Sequence, residues 1–288
     1  MLFTRHFVNL HHKDNKHRRN PIMTEPHLQY YQLGEGVTAF SSTRQGGYST
    51  GNYAEFNINH FCGDDEQAIS QNRQALCRLL GIRNDRLLLP HQVHRAEILA
   101  VDELLLGLSP EEQHKKLDGI DALMTNMKGV CIGVSTADCI PVLLYDRGHH
   151  AACAIHAGWR GTVKRITEKA VAKMVAVYGT RPEDIMAQIG PGISLDSFEV
   201  GNEVYEAFVH EGFSMERMSK KYQTADGMGE KWHINLPECN RQQLLEAGIP
   251  EAQIGVSSVC TVKQSDKFFS ARRLGINSGR IFTGILLL

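Results

Sequence analysis

Three apolar runs rich in β-forming residues follow one another in the middle of the chain: Gly129–Ser135, Pro141–Asp146 and Ala151–Ile155. Each is bounded by turn residues, and each is too short to be a membrane span. Uninterrupted apolar character over five to seven positions is what a strand covered on both faces requires. Arg147-Gly-His-His150 between the second and third runs reads as a hairpin connection. Directly after the third run, Val163, Ile166, Ala170, Met174 and Val177 recur at helical spacing, with Lys164, Arg165, Glu168, Lys169 and Lys173 between them. That is an amphipathic helix laid on a sheet.

The remaining elements are arranged around this nucleus. Gly36–Thr43 reads as a strand, and Glu66–Leu80 as a helix capped by Asp64 or Asp65 and closed by Gly81. Short strands at Leu87–Pro90 and Ala96–Val101 flank His91-Gln-Val-His94. Glu103–Lys116, with Ser109-Pro-Glu-Glu inside it, is an inserted helical excursion. Ile185–Ile189 is a strand running into Gly190-Pro-Gly192, helices follow near Glu203–His210 and Pro237–Ala247, and Arg280–Leu288 is a buried strand. Strands and helices do not alternate regularly, so the expected class is α+β with a mixed sheet. Nothing divides residues 25–288, which are expected to form one catalytic domain. Residues 1–24 are basic and His-rich, without the apolar segment of a secretory signal. They read as a disordered tail, or as the product of an upstream start with Met23 as the working one. Their histidines, His6, His11, His12 and His17, are taken as incidental.

Charge and cysteine content exclude several classes. With 31 basic and 32 acidic residues there is no electrostatic footprint for nucleic acid, and no apolar run points to a membrane. The seven cysteines are odd in number and contain no CxxC pair, which suits a reducing, cytoplasmic setting. No protein partner is implied.

Two segments carry chemistry. Thr136-Ala-Asp-Cys-Ile-Pro141 joins two strands, and His156-Ala-Gly-Trp-Arg-Gly161 joins a strand to the long helix. Reactive side chains concentrate on such loops because a rigid sheet fixes them while solvent still reaches them. If the proposed hairpin forms, residues 139 and 156 lie at the same end of the sheet. On residues alone, a Cys–His nucleophile and a Cys–His metal site cannot be told apart.

Ser41-Ser-Thr-Arg-Gln-Gly-Gly47, Cys62-Gly-Asp-Asp65, Gln92-Val-His94, Thr136-Ala-Asp-Cys139, His156-Ala-Gly-Trp-Arg-Gly161, Gly190-Pro-Gly-Ile193 and Phe198-Glu-Val-Gly201 occur in an order that resembles the YfiH-type family. That family was first catalogued as laccase-domain or multicopper polyphenol oxidoreductase proteins. Its members are described as purine nucleoside phosphorylases with adenosine deaminase and methylthioadenosine phosphorylase activity. The resemblance covers residue 28 to the C-terminus. It implies an α/β sandwich similar to cysteine hydrolases of the cytotoxic necrotizing factor type. It also implies metal ligation by His94, Cys139 and His156, zinc as the cofactor, and a purine nucleoside (adenosine, inosine, methylthioadenosine) and phosphate as substrates. Three protein ligands are the set of a catalytic zinc. The chain departs from shorter members in its N-terminal tail and in the extra residues around Leu104–Lys116.

Within that resemblance, Arg44 in its glycine-flanked turn and Arg160 are candidates for phosphate, since a guanidinium can bind it with two parallel bonds. Arg272 and the N–H groups opening the helix after Gly161 are further candidates. Asp138 or Glu199 is expected to move the proton in deamination. His91 lies three residues from His94 and so projects to the opposite face of an extended segment. It is expected outside the ligand set. Three other functions stay open. Copper binds most N/S sites more tightly than zinc, which allows a laccase-like polyphenol oxidoreductase, although the ten histidines past residue 24 include no His-x-His pair. The others are a Cys–His amidohydrolase and a non-catalytic metal-binding module.

Overall fold

A computed structural model describes residues 25–224 and 227–288; residues 1–24, expected as a tail, lie outside the described residues. Five strands form one sheet in the order β1 (Leu28–Tyr31), β2 (Val37–Ser42), β14 (Ile281–Leu287), β6 (Cys131–Thr136) and β3 (Leu87–Leu88). Six form a second: β13 (Ile254–Val256), β9 (Ile185–Ile189), β7 (Ile140–Asp146), β8 (Ala151–Ala157), β5 (Ala122–Thr125) and β4 (Ile98–Ala100). Pairs β3–β6, β4–β5 and β9–β13 are parallel and the others in these sheets antiparallel. This is the mixed α+β sandwich the sequence predicts.

Alternation along the central strands explains the layering. Ile132, Val134, Leu143, Tyr145, Ala152, Ala154, Ile285 and Leu287 share one cluster between the two sheets. Their neighbours point outward. Val142, Leu144, Cys153 and Ile155 pack with α5 (Ile166–Tyr178), α6 (Asn202–His210) and α8 (Leu236–Glu246). Phe40, Cys131, Phe282 and Leu286 pack with Leu76 and Cys77 of α1 (Glu66–Leu80). Both sheets are therefore covered on both faces, which is why their strands read as unbroken apolar runs. The α1 boundaries are as the sequence predicts. Asp65 accepts from the N–H of Ala68, and Gly81 closes the helix with a left-handed φ of 66°.

The long helix predicted across Val163–Val177 is two helices, α4 (Trp159–Val163) and α5, with Arg165 left-handed (φ 57°) between them. The side-chain amide of Gln243 on α8 donates to Thr162 O (3.1 Å) and accepts from Glu168 N (3.3 Å). One glutamine thus satisfies backbone groups on both sides of the break. The excursion after β4 consists of α2 (Glu103–Gly107) and α3 (Pro110–Leu117), the latter opened by a capping box at Ser109 and Glu112. Two further α-helices, α7 (Met215–Met218) and α9 (Ala271–Leu274), are short. A small sheet of β10 (Glu199–Val200), β12 (Glu230–Ile234) and β11 (Ser219–Gln223) is not anticipated by the sequence. Its strand β11 and the first half of β12 are largely solvent-facing and supply Lys and Glu, and β10 is only two residues long, so they carry little apolar signal. Among the described residues, no helix is long and apolar enough to cross a membrane.

Candidate metal centre

The β7–β8 hairpin forms in the register that brings the two chemical segments together, with Ile140 opposite Ala157 and Pro141 opposite His156. Cys139 sits just before Ile140, in the turn that carries the chain from the five-stranded sheet into the six-stranded one. His94 lies on another crossing between the sheets, from β3 to β4. The ligand atoms of His94, Cys139 and His156 all lie within 4.8 Å of one another.

Asp121 organises this trio. Its carboxylate is buried and accepts from His156 Nδ1 (2.7 Å), His94 N (3.0 Å) and Arg95 N (2.7 Å). With Nδ1 engaged by Asp121, His156 turns Nε2 toward Cys139 and the centre of the trio, the arrangement in which a carboxylate sets the tautomer and raises ring basicity. His94 adopts a left-handed φ of 61°. Its loop is pinned by Gln92, whose amide donates to Ser135 O (2.8 Å) and accepts from Ser135 N (2.7 Å). At Gly158 an added Cβ would stand 2.9 Å from Cys139 Sγ, 3.1 Å from His94 Cδ2 and 3.7 Å from His156 Nε2, so only glycine leaves the centre open.

Burial resists ionisation of the Cys139 thiol, but the charge of His156 and hydrogen bonds with both histidines outweigh it and hold the thiol down at about 6. His156 moves the other way. Burial opposes its charge, yet Cys139 and the Asp121 hydrogen bond push it up to about 9. The thiolate is the form that ligates a metal or attacks carbon. One sulfur and two imidazole nitrogens suit zinc and copper alike. The cluster size, the donor set and the Asp121 support fit a bound ion.

Other expected site residues are placed as follows. Asp138 braces the Cys139 turn, accepting from Thr261 Oγ1 (2.6 Å) and Arg272 N (3.0 Å) through its carboxylate and from Ile193 N (2.9 Å) through its carbonyl. Arg44 lies elsewhere, donating to the carbonyls of Ala54 (2.8 Å) and Ser265 (2.7 Å). Arg160 is exposed and lies over the ring of its neighbour Trp159, 4.2 Å from the centroid. Glu199 turns its carboxylate to Lys231 (2.9 Å). His91 pairs with Asp118 (2.6 Å) and stacks on Phe61 (4.3 Å) at the rim, outside the trio.

Two cavities meet at Cys139. One, of about 410 Å³, is walled by Trp159, Phe198, Ile193 and Leu236, with Asp138 and Arg272 at its edge. The other, of about 200 Å³, is polar and includes Gln92, Ser135, Thr136 and Arg280 beside the trio. Cys139 and Ile276 border both. Sequence reasoning did not find Asp121, Gly158 or Arg280. Asp121 and Arg280 lie in no ligand-like spacing, and Gly158 stood only as part of a motif.

A sulfur-and-imidazole trio that lines one cleft, with its cysteine reaching a second, forms a small-molecule site whose donor set could hold a metal. The chain belongs to the family described as multi-copper polyphenol oxidoreductase laccase, whose model matches residues 38–288. It is 46% identical to a purine nucleoside phosphorylase of Bacteroides thetaiotaomicron over 252 residues, covering 87% of this chain and 92% of the relative. It is 42% identical to a protein named adenosine deaminase RL5, from an unknown prokaryotic organism, covering 90% and 97%. Among solved structures, YfiH of Bacillus licheniformis superposes with a TM-score of 0.80 at 30% identity, covering 88% of this chain and 93% of that one. YlmD of Geobacillus stearothermophilus gives 0.79 at 30% identity, covering 88% and 92%. These matches bear out the resemblance and the fold read from the motifs.

Proposed function

We propose that this chain is a cytoplasmic, zinc-dependent purine nucleoside phosphorylase acting on adenosine, inosine and methylthioadenosine, with adenosine deaminase activity. The observation that carries the reading is the His94–Cys139–His156 trio, which lines a polar cavity and reaches an adjoining aromatic cavity through Cys139. The names of the relatives from Bacteroides thetaiotaomicron and the unknown prokaryote support it. His94, Cys139 and His156 would hold the zinc, which supplies Lewis acidity at the reacting centre when bound. The chain's own residues do the rest. Asp121 fixes both histidines, and Gly158 leaves room for the ion. Trp159 and Phe198 offer flat faces for a purine. Asp138 is the carboxylate at the edge of that cavity, and we assign it, and not Glu199, the proton transfer of deamination, in which adenosine and water give inosine and ammonia.

The test is chromatography of adenosine incubated with metal-analysed protein, with and without inorganic phosphate. Phosphate-dependent release of adenine, about one zinc per chain, and loss of both in Cys139→Ala are the expected results. A Cys139→Ala variant that keeps metal and full activity sinks the proposal.

Two other readings rest on specific observations. The family description and the N/S donor set favour copper and phenol oxidation. Oxygen reduction by a multicopper oxidase needs further copper ligands, and His94–Cys139–His156 is the one His/Cys cluster among the described residues. The hydrogen-bonded series Cys139–His156–Asp121 also matches nucleophile, base and orienting acid. In that case iodoacetamide abolishes activity in metal-free protein.

A further inference from the structure

We infer that the cleft lined by β3 and the α2–α3 excursion is a second binding site, whose ligand is a monocarboxylate with an apolar body, of the medium-chain fatty-acid kind. The proposed function makes no use of this cleft, so the inference stands apart from the phosphorylase reading. The cleft has a volume of about 540 Å³, within the range of small-molecule pockets. Leu87 and Leu88 come from β3, the edge strand of the five-stranded sheet. Leu106, Leu108 and Leu117 come from the excursion, and Phe61 adds an aromatic ring.

One charge in this lining is unanswered. Arg73 of α1 is half-buried there, and among the described residues no carboxylate lies within ion-pair distance of it. A charge withdrawn from water is ordinarily paired, and burial draws the pKa of this guanidinium below its ordinary value. Arg73 donates through Nη2 to Leu87 O (2.8 Å) and through Nε to Asn84 Oδ1 (3.4 Å), two neutral acceptors on residues of the same lining. Those bonds fix the group and leave Nη1 without a partner among the described residues. Asp85, the one carboxylate of the lining, is already answered by Arg83, which donates to both of its oxygens (3.0 and 2.7 Å). The remaining titratable side chains of the lining, His60 and His114, bring no negative charge.

Charge and surface together select the ligand. The free Nη1 and the second proton of Nη2 form a fork that matches the two oxygens of a carboxylate. A phosphate calls for further donors, but the Gln113 amide is already given to the carbonyls of Leu106 (3.2 Å) and Leu108 (3.3 Å). Leucines and Phe61 offer the rest of the ligand apolar contact, so the part away from the carboxylate is hydrocarbon, stabilised by its removal from water.

The test is calorimetric titration of the zinc-loaded full-length protein with sodium octanoate, with sodium acetate and octylammonium chloride as controls. Octanoate is expected to bind saturably; acetate, which lacks the body, and octylammonium, which has the wrong charge, are expected to bind far more weakly. Arg73→Gln removes a hydrogen bond to a charged group and weakens octanoate binding about tenfold or more. Leu108→Trp, which fills the cleft and leaves Arg73 in place, weakens it as well and serves where Arg73→Gln fails to fold. Phe61 also borders the metal cavity, and a carboxylate can ligate a metal, so Cys139→Ala is the remaining control, with octanoate affinity expected to be unchanged. Three results would each overturn the assignment: no octanoate binding at millimolar concentration, octylammonium binding as tightly as octanoate, or affinity lost in Cys139→Ala but kept in Leu108→Trp. None of them bears on the phosphorylase reading, which stands or falls on the release of adenine.

Discussion

Three donors converge on the carboxylate of Asp121: His156 Nδ1 and the backbone N–H groups of His94 and Arg95. One side chain therefore sets the ring orientation of one proposed ligand and the backbone position of another. Asp121→Asn keeps the size but removes the charge and one acceptor oxygen. Removing such a partner of a ligating histidine lowers metal affinity about 10- to 100-fold, and competition with a chelator measures it. Unchanged affinity would show that Asp121 does not support the metal. The residue scale is also where sequence reasoning divides most sharply. Cys139 and His156 were legible because each combines a metal-binding side chain with a strand end and a turn. Asp121 was not, since it works through an intervening histidine and lies far from its partners in sequence. Arg44, a candidate for phosphate, stands in a motif, yet its guanidinium is spent on the carbonyls of Ala54 and Ser265. A glycine-flanked arginine reads the same whether it faces a ligand or a neighbouring loop.

Strands β1, β2 and β14 are tied by hydroxyls as well as by their backbone ladders. Tyr31 OH donates to Ser41 Oγ (2.9 Å), which in turn shares a hydrogen bond with Thr283 Oγ1 (2.7 Å). Burial pushes the Tyr31 phenol up to about 12, with the Ser41 hydrogen bond partly offsetting it. The unfolded phenol ionises near 10. The folded state therefore holds this proton more tightly, and the resulting stability is complete below about pH 10 and is lost as pH rises through about 12. Denaturant titrations of the parent and Tyr31→Phe should diverge across that interval, the parent losing stability faster. Parallel curves would contradict the shift. The central strands were plain in the sequence because they are apolar on both faces. The division of the long helix into α4 and α5 was not, because its apolar spacing continues through the break and the compensating Gln243 comes from α8.

For the whole molecule, the clusters between and outside the sheets are built from aliphatic and aromatic side chains, and the trio stands apart from them at one end of the sandwich. The fold therefore has a core of its own. Chelator-stripped protein is expected to keep its far-UV circular dichroism and a cooperative melt. Restored zinc should raise stability by about 2.7 kcal/mol at a hundredfold excess over its dissociation constant. Loss of secondary structure on stripping would instead make the ion a structural one. His94 and Cys139 both lie where the chain passes from one sheet to the other, and His156 is anchored in the second sheet alone. The separation of the three donor atoms is thus tied to the spacing of the two sheets. A coloured ion such as cobalt(II), bound by this trio, would act as a strain gauge set across the sandwich, and its absorption bands would register sliding or loosening of one sheet against the other under pressure or cold.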